Sequence, residues 1–215
     1  MKIAYYIDVL SQWCLFADGA VERLREKYGD DIAFDVRIAP VKDGGPLGYS
    51  PEALRWYFDR SESMTGIATV AWIADERATT FFANAATLAA QQLGAGVDVV
   101  RRAVQSAGLL EGRQVGSAEE VGAIAAAAGG VDPARVLEGL RGEAVRAVLH
   151  ANIADLRALG CDLRPTFVME NAIGDRMVLS GTYRFDVLDA CIGSLLDDQR
   201  AYAAFSVAHP PPPGA

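Results

Sequence analysis

Apolar and polar positions change rhythm along the chain, and each change predicts a different element. Residues 2–9 (KIAYYIDV) are rich in β-forming side chains, which predicts a strand. After the Leu10-Ser11-Gln12 turn, apolar residues fall at helical spacing between Trp13 and Tyr28: Cys14, Phe16, Ala17, Ala20, Val21 and Leu24. This predicts an amphipathic helix. Residues 31–40 (DIAFDVRIAP) alternate again, and the intervening helix implies that the two strands run parallel as a βαβ unit.

Gly and Pro mark a loop from Val41 to Gly48, and from Ser50 to about Gly160 the sequence is alanine-rich and helix-forming. Ser50-Pro51 and Asp132-Pro133 read as an N-cap followed by Pro at the first helical position, and Ser117-Ala118-Glu119-Glu120 reads as a capping box. Gly94 and Gly96 separate two helices, and Gly142 to Leu159 forms the last of the block. Strand character returns at Thr166–Glu170 and Arg176–Ser180, joined by a turn into an expected antiparallel hairpin, and an amphipathic helix follows from Tyr183 to Leu196. The order βαβ, helical block, ββα is that of an α/β thioredoxin-like fold with an inserted all-helical domain. The expected division is 1–48 and 161–200 for the thioredoxin-like domain and 49–160 for the insertion. Residues 201–215, with four consecutive prolines from Pro210, are expected to be a disordered tail.

Composition narrows the function classes. The 215 residues are 51% hydrophobic with a mean hydropathy of +0.14, enough for a large core. A net charge of −8 with no cluster of Lys and Arg speaks against nucleic acid and against anionic membranes. No apolar run approaches the roughly 18 residues of a membrane span, and Asp8 interrupts the opening segment before it could serve as a secretory core. Three cysteines, Cys14, Cys161 and Cys191, are odd in number and far apart, which fits a reducing, cytoplasmic location rather than a disulfide scaffold. With two histidines, His150 and His209, multi-histidine metal sites are not expected, and His150 reads as a helix-packing residue.

Three segments carry a resemblance that spans about residues 2–196. Ile7-Asp8-Val9-Leu10-Ser11-Gln12-Trp13-Cys14 looks like a strand-end D-x-x-C-P-W-C motif. Glu111-Gly112-Arg113-Gln114-Val115-Gly116 and then Val131-Asp132-Pro133 look like part of an inserted helical domain. Leu163-Arg164-Pro165-Thr166-Phe167-Val168 with Leu179-Ser180-Gly181 looks like a cis-proline loop, V-P-T-F-V, with its closing I-S-G. In these segments the chain resembles the DsbA-like group, which contains FrnE-type oxidoreductases, 2-hydroxychromene-2-carboxylate isomerases and kappa-class glutathione transferases.

The departure from that pattern bears on function. Where the disulfide oxidoreductases have C-x-x-C, this chain has Ser11-Gln12-Trp13-Cys14, so dithiol cycling at the motif is ruled out. In the transferases and isomerases the first position is also serine, and the resemblance implies that the Ser11 hydroxyl donates to the thiolate of bound glutathione or another small thiol. A hydroxyl donor and a helix N-terminus both favour a thiolate over its usual pKa of about 8.5. As a plain N-cap, Ser11 would instead contribute about 1 kcal/mol to the fold. Cys14 is either a small buried hydrophobe or a single-cysteine redox site.

The resemblance further implies thiol contacts from Gln12, Trp13, Arg164, Pro165, Thr182 and Tyr183. Arg164 would place a fixed cation beside the sulfur or else pair with Asp162, and Thr182 reads equally as a helix N-cap. Gly181-Thr182-Tyr183-Arg184 keeps the arginine of the transferases' G-S-D-R but replaces the acid by Tyr183, which leaves room for a thiol other than glutathione. Trp56, Tyr57, Phe81, Phe82 and Asn84 either roof a pocket for a second, small apolar substrate or belong to the core. The implied function is that of a thiol-dependent transferase, isomerase or reductant without a metal. The alternatives are an oxidoreductase working through Cys14 and a non-catalytic binding protein, and a homodimer is left open.

Overall fold

A computed structural model of the protein describes residues 1–70, 72–73 and 77–209. Strand β1 (Lys2–Ile7), helix α1 (Gln12–Tyr28) and strand β2 (Ala33–Ile38) form the opening unit. Six helices follow: α2 (Pro51–Thr65), α3 (Phe81–Gln92), α4 (Val97–Leu109), α5 (Ala118–Gly129), α6 (Pro133–Arg141) and α7 (Glu143–Ala158). Strands β3 (Thr166–Glu170) and β4 (Arg176–Ser180) and helix α8 (Phe185–Ala208) close the chain. The sheet order is β2-β1-β3-β4. β1 and β2 are parallel, while β1–β3 and β3–β4 are antiparallel, so the architecture is thioredoxin-like with a helical insertion between β2 and β3.

Period-two alternation decides what each sheet face meets. Ile3, Tyr5 and Ile7 of β1 and Phe167 and Met169 of β3 share one buried cluster with α1 and with Leu188 and Ile192 of α8. The Tyr5 and Phe167 rings stack across the β1–β3 pair at 4.6 Å. Tyr6 and Val168, pointing the other way, pack with Ile153 and Leu156 of α7. At the centre of the insertion α3 is buried from Ala83 to Ala90, because small side chains let α4, α5 and α6 approach on several sides.

The caps form where the sequence places them. Ser50 Oγ accepts from the Ala53 N–H, and Asp132 Oδ1 accepts from those of Ala134 and Arg135. Ser117 Oγ accepts from the Glu120 N–H at 3.1 Å, but the Glu120 carboxylate turns to Arg113 at 2.6 Å, so only half of the capping box is made. Two expectations are corrected. Residues 201–208 continue α8 rather than forming a disordered tail, since Ala201-Tyr202-Ala203-Ala204 consists largely of good helix formers even without a core stripe; residues 210–215 lie outside the described residues. His150 is exposed because the buried stripe of α7 runs through Val145, Leu149, Ile153 and Leu156 and passes it by. No helix among the described residues is long and apolar enough to cross a membrane.

The insertion is fastened to α1 by buried charge. Arg101 of α4, fully buried, grips Asp18 of α1 with two nitrogens at 2.8 Å each and donates through Nε to Asp98 at 2.6 Å. Arg25 reaches Asp98 at 2.7 Å, and Arg102 pairs with Glu22. Burial opposes the charge on Arg101, yet the Asp18 carboxylate holds its pKa above the usual arginine value.

Candidate active site

The site begins where β1 ends. Asp8 is fully buried, and its carboxylate accepts from the backbone N–H groups of Leu10 (2.9 Å) and Val41 (2.8 Å) and from the Thr80 hydroxyl (2.6 Å). Asn84 Oδ1 accepts from the Val9 N–H at 2.9 Å. Side chains of α3 and its approach thus fix the loop that carries Ser11, and Asn84 serves as a brace rather than as a pocket roof.

Ser11 stands at the N-cap of α1 with extended backbone (φ −81°, ψ 122°), but its side chain makes no capping bond. The plain-cap reading is therefore not realised, and the half-buried residue stands beside the helix N-terminus. One turn on, Cys14 is fully buried. Burial pushes its thiol up to about 12, although a hydrogen bond involving Ser11 pulls the other way. A thiol in that state carries almost no thiolate near neutrality, which fits the core-packing reading.

Ser11, Gln12 and Trp13 open onto a cleft of about 630 Å³, within the usual range for small-ligand sites. Its far wall comes from the insertion: Leu54, Tyr57, Phe58 and Arg60 of α2, then Trp72 and Ile73. The loop after β2 contributes Val41 to Asp43, and Asp162 to Arg164 close the third side. Lys42 and Asp43 hold consecutive left-handed conformations (φ 51° and 57°) that non-glycine residues seldom adopt, and Asp43 is tied to Arg157 at 2.7 Å. Trp56, in the first half of α2, is 58% exposed, while Phe81 and Phe82 pack on each other at 5.6 Å.

Arg164 borders the cleft on the β3 side while Pro165 itself does not line it, and the peptide between them is cis. The Arg164 guanidinium is buried and fully committed. It donates to the carbonyl oxygens of Ala39 (2.7 Å), Pro40 (2.9 Å) and Asp162 (2.9 Å). It therefore staples the end of β2 to the segment before β3, and the Asp162 pairing expected as its second reading is present in part at 3.3 Å. The Pro165 carbonyl accepts from the Gly181 N–H at 2.8 Å.

Gln12 Nε2 donates to Thr69 Oγ1. The Trp13 ring meets Phe16 at 5.6 Å and Tyr183 at 5.4 Å. Tyr183 lines a separate, shallow depression with Phe16 and Arg23, so it buttresses Trp13 from behind. Thr182 is not a helix cap, since the N-cap of α8 is Arg184. Cys161 and Cys191 are partly buried free thiols. Sequence reading overlooked Arg60, which lies over the rings of Trp56 and Tyr57 at 5.0 Å each and of Trp13 at 5.9 Å. Its spacing of three and four residues from Tyr57 and Trp56 on one helix was the available signal.

Known proteins share the fold that carries this cleft. Among solved structures, the cytosolic disulfide reductase DsbM from Pseudomonas aeruginosa is 24% identical with a TM-score of 0.65, covering 97% of this chain and 99% of that one. The same reductase solved with GSH is 23% identical with a TM-score of 0.63, covering 97% and 100%. A 2-hydroxychromene-2-carboxylate isomerase is 17% identical with a TM-score of 0.69, covering 94% and 99%. At these identities the likeness carries the fold. No curated protein matches the chain. The model of the DSBA-like thioredoxin domain matches residues 2–193, and with a serine at the head of α1, a cis proline before β3 and helices inserted between, the chain belongs to the DSBA-like thioredoxin domain family.

Proposed function

We propose that the protein binds a small thiol, glutathione or a relative of it, with the sulfur at Ser11 beside the Arg164–Pro165 segment, and uses it on a small aromatic molecule held against α2 and Trp72. The observation that carries this reading is the Ser11 hydroxyl, which stands at a helix N-terminus with no capping bond and lines the cleft. A hydroxyl donor and the α1 N-terminus together favour an anionic sulfur there. The apolar wall suits a flat second substrate, and the neighbours supply precedent, one solved with GSH and one an isomerase. Gln12 and Trp13 complete the thiol's surroundings and Tyr183 packs against Trp13, while Thr182 does not line the cleft. Transferase, isomerase and reductant chemistry all begin from such a bound thiolate.

A disulfide cycle through Cys14 is the weaker reading, because a fully buried thiol with its pKa near 12 is a poor nucleophile. Thermal unfolding with and without millimolar glutathione tests the proposal. Glutathione at about 100 times its Kd should add roughly 2.7 kcal/mol of stability. Ser11→Ala should lose most of that gain while costing the free fold less than about 0.5 kcal/mol, because no capping bond is removed. No stabilisation of the wild type by glutathione or any other small thiol would refute it.

A further inference from the structure

Arg60 is the partly buried cation in the cleft that the proposed thiol chemistry does not use, Lys42 on the opposite loop being exposed. Its Nε is buried without a hydrogen-bond partner, and among the described residues it makes no ion pair. The other guanidiniums on the cleft are committed, Arg157 to Asp43 and Arg164 to backbone carbonyls. Aromatic rings of Trp13, Trp56 and Tyr57 surround Arg60. Stacking on rings leaves the in-plane N–H groups of a guanidinium available, and their fork matches a carboxylate. A buried donor without an acceptor is costly unless a ligand supplies one.

We infer that Arg60 is a carboxylate-binding residue and that the cleft takes a ligand carrying a carboxylate next to an apolar body. The inference rests on the cleft being the ligand site, as proposed above, and deepens that reading by naming the charged group of its occupant. Leu47, Leu54, Phe58 and Trp72 line the same cleft, so the body beside the carboxylate is apolar. The carboxylate could belong to the second substrate or to the thiol itself.

Quenching of tryptophan fluorescence provides the readout, since Trp13 and Trp56 border Arg60. The probes are 2-naphthoate and its uncharged amide, and glutathione and its diethyl ester. Wild type should bind at least one acid more tightly than its neutral analogue. Arg60→Gln should weaken that acid by about 10- to 100-fold, the loss of a charge-assisted pair, and leave the neutral analogue unchanged. Arg60→Lys should fall between, keeping the charge without the fork. Selective loss of naphthoate assigns the site to the second substrate, and selective loss of glutathione assigns it to the thiol. The inference is overturned if wild type shows no preference for either acid, or if Arg60→Gln binds both acids like wild type while remaining folded by circular dichroism. Loss of thiol binding in Ser11→Ala with naphthoate binding intact would leave Arg60's role standing, so the two readings fail separately.

Discussion

Ser11 and Cys14 stand one helical turn apart at the start of α1, and the fold treats them in opposite ways. The serine keeps a hydroxyl at the cleft, and the cysteine turns its sulfur into a cluster with Ala17, Val21 and Tyr5. Because the folded state raises the Cys14 thiol well above its ordinary value, to about 12, the residue contributes stability that is complete below the unfolded thiol's pKa of about 8.5. That contribution is lost as pH rises towards 12, because the unfolded chain ionises first. Its full size is about 4 to 5 kcal/mol at most. Tyr5, raised above its usual value mainly by burial, adds to the same alkaline loss. Denaturant unfolding between pH 8 and 11 should therefore show wild-type stability falling, with a shallower fall in Cys14→Ala; equal slopes would mean that Cys14 ionises freely in the folded protein. Cys14's burial was legible from its place on the apolar stripe of α1. The state of Arg164 was not, because Ala39 and Pro40 lie far away in sequence and no local pattern reports their carbonyls.

At the scale of elements, the contact between α1 and α4 decides whether the wall of the cleft stays beside Ser11. The charged clamp holds it laterally, and Gly108 permits close approach near its end. A Cβ at Gly108 would lie 2.9 Å from Leu10, two residues from the loop's Asp8 anchor. The Val70 N–H donates to the Leu109 carbonyl at 2.7 Å, tying the segment that leads to Trp72 onto the end of α4. Removing one member of a buried pair leaves the other charge stranded. Arg101→Met should cost about 3 kcal/mol, and adding Asp18→Asn should cost less than the sum of the two by about 1–3 kcal/mol. Additive losses in denaturant titrations would show that the pair is not coupled. The carboxylates of the clamp give the pH sign. Asp98 is held below its ordinary range by Arg101 and Arg25 against the effect of burial, and Glu22 is lowered by Arg102. Their contribution is present above about pH 4 and lost as pH falls through the lowered values. The caps of α2, α5 and α6 were readable because they are set within a few residues, whereas the clamp joins helices far apart in sequence. The extent of α8 was missed for a related reason: Tyr202 and Phe205 are exposed, so no buried stripe marks the last turns.

Across the whole molecule, the βαβ and ββα halves bring the end of β1 and the segment before β3 to one end of the sheet, where α2 of the insertion lines the same cleft. This much followed from alternation, helical spacing and the order of elements. The cleft's charge pattern did not, since it emerges only when Arg60, Asp8 and Arg157 are folded together. A second concavity of about 410 Å³ lies on the sheet, but Arg37 there is paired with Asp35 and Asp155 and every lining residue belongs to a strand, so it has no helix N-terminus to favour a thiolate. The central claim is that Ser11 and the N-terminus of α1 hold a bound thiol as its anion. Ultraviolet titration of the thiolate of glutathione bound to the protein measures this directly. The bound thiol should ionise at least one pKa unit below the free value of about 8.5, and in Ser11→Ala the transition should move back towards it. A bound thiol that titrates like free glutathione, or a transition that Ser11→Ala leaves in place, would contradict the assignment of Ser11 as the thiolate's donor.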